Sequence, residues 1–211
     1  MLFLFRLQIY SLLYFLFRNL ITNFTAKILP ILNSKKIVIT GGPGTGKSSI
    51  INELIKRGFM CLEEISRQVT LDARKDGIEQ LFLTKPLLFS EMLLKGRTKQ
   101  FNQANNSDKD LVFLDRGIPD IVAYMDFIGD TYPEEFVDAC KNNIYDKVFI
   151  LAPWQEIFKS DSERYENFEQ ALEIHENLMS TYKKYGYNLI DVPFESIEKR
   201  TDFILDFIKH Y

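Results

Sequence analysis

The segment Ile37-Val38-Ile39-Thr40-Gly41-Gly42-Pro43-Gly44-Thr45-Gly46-Lys47-Ser48-Ser49 constrains this chain more than any other. An apolar run enters a glycine-rich turn. A helical pattern follows, with Ile50, Ile51, Leu54 and Ile55 on one face. Gly41, Gly46, Lys47 and Ser48 fill every fixed position of the template G-x-x-x-x-G-K-[ST]. Glycines let backbone N–H groups curl around phosphate oxygens with no Cβ in the way. A helix beginning near Lys47 aims its positive dipole end and unpaired amides at the same anion. Lys47 is placed to reach the β- and γ-phosphates, and the Ser48 hydroxyl to ligate Mg²⁺. The run Gly41, Gly42, Pro43, Gly44, Thr45, Gly46, Lys47, Ser48 and Ser49 is therefore read as a nucleoside triphosphate site, with ATP and Mg²⁺ as the expected cofactors.

Composition narrows the remaining classes. A chain of 211 residues has room for one domain with a sizeable core and some extra. A net charge of −3 leaves no electrostatic footprint for nucleic acid, so none is expected as a partner. The charge is uneven: residues 1–52 hold six Lys or Arg, and all 29 acids lie beyond them. Cys61 and Cys140 are far apart and match no metal spacing. They read as reduced, buried thiols of a cytoplasmic protein.

Residues 1–34 differ from the rest. They are crowded with Leu, Ile, Phe and Tyr and carry Arg6, Arg18 and Lys27. The apolar stretch between Arg6 and Arg18 is 11 residues long and includes Gln8 and Ser11, short of the roughly 20 that span a bilayer. No small-residue cleavage site follows it, as secretion would require. As a helix, Gln8, Ser11, Arg18, Asn19 and Thr22 share one face, which suits a helix lying in a membrane interface. Three readings stand side by side: a membrane-surface or partner-docking helix, an extension from a misassigned start, and an organelle presequence. The catalytic domain is expected over residues 35–211 in each case.

Further along, Phe59 to Leu62, Leu111 to Asp115, Lys147 to Leu151 and Tyr187 to Val192 read as short apolar strands, making five with the first. Helical patterns separate them: a helix capped at Ser66 that carries Arg67 and Val69, followed by loop or broken helix over residues 71–84 around Gly77, then Leu87 to Phe101 with Leu88, Met92 and Leu93 inward, the start at Pro119, Ser162 to Lys184, and Ile197 to Tyr211 with Ile204, Leu205, Phe207 and Ile208 inward. Such alternation predicts an α/β fold with a five-stranded parallel sheet covered by helices on both faces. Right-handed crossovers place the functional groups at the carboxyl ends of the strands. Three of those ends carry chemistry: the phosphate loop, Glu63-Glu64 and Asp115-Arg116.

Asp115, directly after an apolar strand, stands where a carboxylate serves Mg²⁺ or an acceptor hydroxyl; the alternative is a cap on the next helix. Arg116 is suited to offset charge on a transferring phosphoryl group, or to a surface ion pair. Glu64 and Arg67 are candidates to orient an acceptor, the alternative for Glu63-Glu64 being a solvated strand end, with Glu64 expected at a sheet edge, farther from the phosphate loop. Asp120 reads as a first-turn helix charge or a substrate ligand. Asp161-x-x-Arg164 follows the fourth strand, where small-molecule kinases carry a lid, so Arg164 is a candidate to close over the phosphates, the alternative being a surface arginine on a charged helix.

The order Val38 to Ser48, Glu64-x-x-Arg67, Asp115-Arg116-Gly117-Ile118-Pro119-Asp120, Tyr145-Asp146-Lys147-Val148-Phe149, Pro153-Trp154, Arg164 and Gly186-Tyr187 resembles the AAA-type ATPase domain grouped with the kinase domain of the NadR proteins. The resemblance covers about residues 35–208. It implies a P-loop NTPase sheet like that of nucleoside and nucleotide kinases, with ATP and Mg²⁺. The leading expectation is a small-molecule kinase acting on a nucleoside-like or other small hydroxyl acceptor. In it Lys47, Asp115, Arg116, Glu64 and Arg164 are catalytic, Ser48 and Asp115 hold the metal, and Glu64, Arg67 and Asp120 bind the acceptor. The alternative is an ATPase or nucleotide-dependent switch acting on a protein or membrane partner. No N-K-x-D guanine-reading sequence is present, which disfavours a Ras-type GTPase. Residues 35–211 also leave no room for the helical lid domain of a ring-forming machine.

Overall fold

The computed structural model describes residues 34–75, 77–78, 81–158 and 166–210. The readings of residues 1–33, and those of Asp161 and Arg164, lie outside the described residues. Strand β1 (Lys35–Gly41) is the centre of a five-stranded parallel sheet with order β2-β3-β1-β4-β5, where β2 is Met60–Leu62, β3 Leu111–Asp115, β4 Lys147–Leu151 and β5 Leu189–Asp191. This is the expected α/β arrangement, with strands buried on both faces and helices in the crossovers.

The period-2 alternation of the strands divides the core. Val38, Val112, Leu114, Val148 and Ile150 face helices α4 (Pro86–Asn105), α5 (Pro119–Ile128) and α7 (Phe168–Lys184). Ile37, Ile39, Phe113, Phe149 and Leu151 face α1 (Lys47–Lys56) and α8 (Ile197–Lys209), which supply Ile50, Ile51, Leu54, Ile204 and Ile208. A third apolar cluster joins α2 (Ser66–Lys75), α3 (Leu81–Thr84), α4, α5 and α6 (Glu134–Asn142).

Some boundaries differ from the sequence reading for local reasons. Helix α7 begins at Phe168, because Asn167 and Gln170 form a reciprocal capping box. The inner face of α4 is Phe89, Leu93, Leu94, Arg97 and Phe101, and Leu88 points outward. Phe207 of α8 is partly exposed while its ring meets Phe149 edge-on. Cys61 is half-buried, not buried, and Cys140 is fully enclosed; both are free thiols.

Strand register positions the site. Ile39 pairs with Asp115 and Gly41 with Leu151, so the phosphate loop leaves the sheet between the ends of β3 and β4. Leu62 pairs with Leu114, which sets Glu64 level with Arg116.

Candidate active site

The loop between β1 and α1 is built on three glycines at positive φ: Gly41 at 150°, Gly44 at 71° and Gly46 at 87°. Gly46 is the residue before the first turn of α1. A Cβ on Gly44 would stand 2.7 Å from the Phe158 ring, so space as well as backbone angle demands glycine there. Thr45 Oγ1 donates to Gly42 O at 3.0 Å, and Lys47 Nζ donates to the same carbonyl at 2.7 Å. Lys47 is only 6 % exposed. Burial, then the charge of Arg116, lowers its pKa to about 8, against the opposing pull of Asp115, Glu64 and Asp120.

Arg116 connects the three strand ends. Its Nε donates to Glu64 Oε1 at 2.7 Å, and its Nη1 donates to Gly41 O at 3.1 Å and to Asp120 Oδ1 at 3.2 Å. Its backbone adopts φ 74°, the one positive φ at a non-glycine residue among those described. The turn is held from every side. Arg116 N–H donates to Ile39 O, Arg97 Nη1 to Gly117 O at 2.7 Å, Gly117 N–H to Asp120 Oδ2 at 2.8 Å, and Ile118 N–H to Tyr145 Oη at 3.1 Å. Strain of this kind persists where the surroundings over-determine it.

The two acids differ in character. Burial works to raise the Glu64 pKa, but the cations Arg116, Lys47 and Arg97 outweigh it and hold the carboxyl at about 2. Its side chain keeps 30 % of its surface exposed. Glu64 also stands closer to the loop than expected, because one guanidinium spans the interval to Gly41. Asp115 is 3 % exposed, and its Oδ1 is buried with no hydrogen-bond partner. Burial, reinforced by Glu64, pushes its pKa up to about 6.

Asp120, expected to bind an acceptor, is 4 % exposed. It accepts from Thr40 Oγ1 at 2.5 Å and Tyr182 Oη at 2.6 Å in addition to Gly117 N–H and Arg116. Its carboxylate is consumed inside the fold, where it supports the Arg116 turn. Arg67 sits exposed in the first turn of α2. Ser48 is exposed at the start of α1, and Ser49 is half-buried beside it.

Sequence reasoning missed Arg97, Tyr145 and Tyr182. Arg97 carried a signal: it falls on the stripe Leu93, Arg97, Phe101, where a charge facing the core requires a buried partner. Tyr182 gave none, since an aromatic on an inward helix face reads as packing, and Tyr145, just before β4, carried nothing local that points to the Ile118 N–H.

The residues fit Mg²⁺. A hard cation of this kind takes oxygen ligands, keeps several waters and uses one or two protein groups together with substrate phosphates. The unpartnered Oδ1 of Asp115 and the hydroxyl of Ser48 are such groups. Among the described residues no cluster of three or more His, Cys, Asp or Glu gathers to hold a metal without phosphate.

A sequence comparison with curated proteins found no match. Among solved structures, deoxyadenosine kinase from M. mycoides, described with dCMP and dCDP, is similar with a TM-score of 0.62 at 20 % identity, over 83 % of this chain and 100 % of that one. NadR in complex with NR gives a TM-score of 0.65 at 18 % identity, over 84 % of this chain and 50 % of NadR. Thymidylate kinase from Candida albicans gives 0.61 at 18 % identity, over 84 % and 92 %. Identities this low establish the fold, which is the P-loop NTPase fold of nucleoside and nucleotide kinases. The family model described as AAA domain matches residues 36–200, and the chain belongs to that family.

Proposed function

We propose that this protein is a small-molecule kinase that transfers the γ-phosphoryl group of ATP to a hydroxyl of a nucleoside-like or other small acceptor. The carrying observation is the juxtaposition at the ends of β1, β2 and β3. A phosphate loop with a buried lysine, an arginine fixed by three acceptors, and two carboxylates of opposite character are gathered at these three ends. The shared fold of the deoxyadenosine and thymidylate kinases supports this reading.

In the proposed reaction the loop amides and Lys47 orient the triphosphate. Mg²⁺, when bound, supplies charge neutralisation of the phosphates, and Ser48 and Asp115 are the residues that would hold it. Glu64, held by Arg116 and partly exposed, orients the acceptor hydroxyl and takes its proton. The acceptor O–P bond forms as the bridging bond of the γ-phosphorus breaks, and ADP departs. The transition state is loose, so positioning and charge carry most of the catalysis and a weakly basic carboxylate suffices. Arg116 would offset negative charge on the transferring group. Arg164 belongs to the proposal as the residue of a lid over the phosphates.

The test is incubation with γ-labelled ATP, Mg²⁺ and a panel of nucleosides and vitamins. Label transferred to an acceptor supports the kinase. Release of inorganic phosphate alone, unchanged by every acceptor, overturns it in favour of an ATPase or switch.

A further inference from the structure

A further cation stands against the phosphate loop, and the proposed reaction does not use it. Arg200 lies one turn into α8, on the same inward stripe as Ile204 and Ile208, and is 2 % exposed. Its Nη2 donates to Thr45 O at 2.9 Å. Its Nη1 stands 2.9 Å from where a Cβ on Gly46 would be, so the loop and the guanidinium are in close contact. Its Nε is buried with no hydrogen-bond partner. Arg116 is paired with Glu64 and Asp120, whereas no carboxylate among the described residues pairs with Arg200. Burial disfavours its charged form, and no acid among the described residues opposes that effect.

The same turn of α8 also grips the far end of α1. Arg57, the residue closing α1, donates through Nη1 to Asp202 Oδ1 at 2.5 Å and through Nη2 to Glu198 O at 3.5 Å. Helix α8 is thus fastened to the segment that leads into α1 by Arg200 and to the residue that ends it by Asp202.

A buried guanidinium with an unmet donor and no counter-charge is costly to the folded chain. A polyphosphate cradled by the loop would bring negative charge close to that guanidinium, in surroundings where charges interact far more strongly than in water. We propose that Arg200 is a positioning residue of the nucleotide site. Through the Thr45 carbonyl it fixes the phosphate loop, and the charge of a bound nucleoside triphosphate balances its own, so triphosphate binding and the seating of α8 stabilise each other. Such coupling is reciprocal by thermodynamic necessity. The inference rests on the ATP reading above, and it assigns α8 a part in nucleotide binding without a residue that reaches substrate.

The experiment compares wild type, Arg200→Met and Arg200→Lys as full-length protein, by thermal midpoint and calorimetric titration with ATP·Mg²⁺, ADP and AMP. In Arg200→Met the midpoint without nucleotide should equal or exceed that of wild type. The rise on adding ATP·Mg²⁺ should largely vanish, with Kd weakened about tenfold, and AMP should show almost no difference. Arg200→Lys should recover part of the rise. A merely structural arginine gives the reverse, a lower midpoint alone with the wild-type rise intact, and that result overturns the inference. Hydrogen exchange of wild type with ATP·Mg²⁺ provides a check that depends on no variant. Slower exchange over residues 197–209 as well as 41–56 supports the coupling, and protection confined to 41–56 overturns it. If wild type shows no response to ATP·Mg²⁺ by any of these measures, the ATP reading itself falls and takes the inference with it. A response in wild type matched by Arg200→Met removes the inference alone.

Discussion

Arg116 donates from Nε to Glu64 Oε1 at 2.7 Å while its Nη1 reaches Gly41 O at 3.1 Å, so one guanidinium joins the acid after the edge strand to the first glycine of the phosphate loop. Glu64 is therefore an oriented carboxylate, fixed by a charge-assisted bond on one oxygen.

Glu64→Gln should lower acceptor phosphorylation by roughly 10²–10⁴-fold and leave ATP binding and slow hydrolysis close to wild type. Asp115→Asn should lower both transfer and basal hydrolysis with ATP still bound. Steady-state turnover with and without acceptor separates the two. Loss of hydrolysis in Glu64→Gln with none in Asp115→Asn would mean that the carboxylates have exchanged roles.

Asp115 also makes a stability prediction. Its pKa rises from 3.8 to about 6 on folding, so between those values the folded state binds more protons than the unfolded. Stability contributed by the protonated group is full below the unfolded value and is lost as pH rises through the folded one. Ionised Asp115 thus weighs against the fold at neutral pH. Asp115→Asn should stabilise by on the order of 2 kcal/mol at pH 7 and by little at pH 3. Denaturant titrations at the two pH values measure this, and equal effects at both would remove the assignment.

Lys47→Ala should abolish measurable ATP binding in a chain that still folds. The depressed pKa of Lys47, about 8, adds a pH dependence: as pH rises through that value the free protein loses the ammonium, and affinity for ATP·Mg²⁺ should decline. Calorimetric titration from pH 7 to pH 9 reads the decline. A flat profile would show that Lys47 stays charged in the free protein.

Tyr182→Phe removes the donor at 2.6 Å from Asp120 Oδ2 and leaves a buried carboxylate short of one bond. The expected loss is about 1–3 kcal/mol of stability, read by denaturant unfolding. Asp120 also holds Arg116, so kcat should fall with it while ATP affinity changes little. Unchanged stability would mean that Asp120 does not depend on this hydroxyl.

The sequence by itself determined the sheet and the phosphate loop, because both are written locally. Four- and five-residue apolar runs alternating with helical patterns read as parallel strands buried on both faces, and a template with fixed spacing gives Gly41, Gly46, Lys47 and Ser48 their places. Only the tertiary structure decided the rest, because those partners are distant in the chain. Arg116 meets Glu64 across 52 positions, Tyr182 meets Asp120 across 62, and Arg200 meets Thr45 across 155. Asp120 shows the limit most plainly: its helix-start position is legible in sequence, yet its burial comes from Thr40 and Tyr182, which two other elements bring to it. Arg97 and Arg200 are intermediate cases. Each stands as a charge on an inward stripe, which the pattern reveals, but the carbonyl that each one satisfies belongs to a turn that only the packed fold brings within reach.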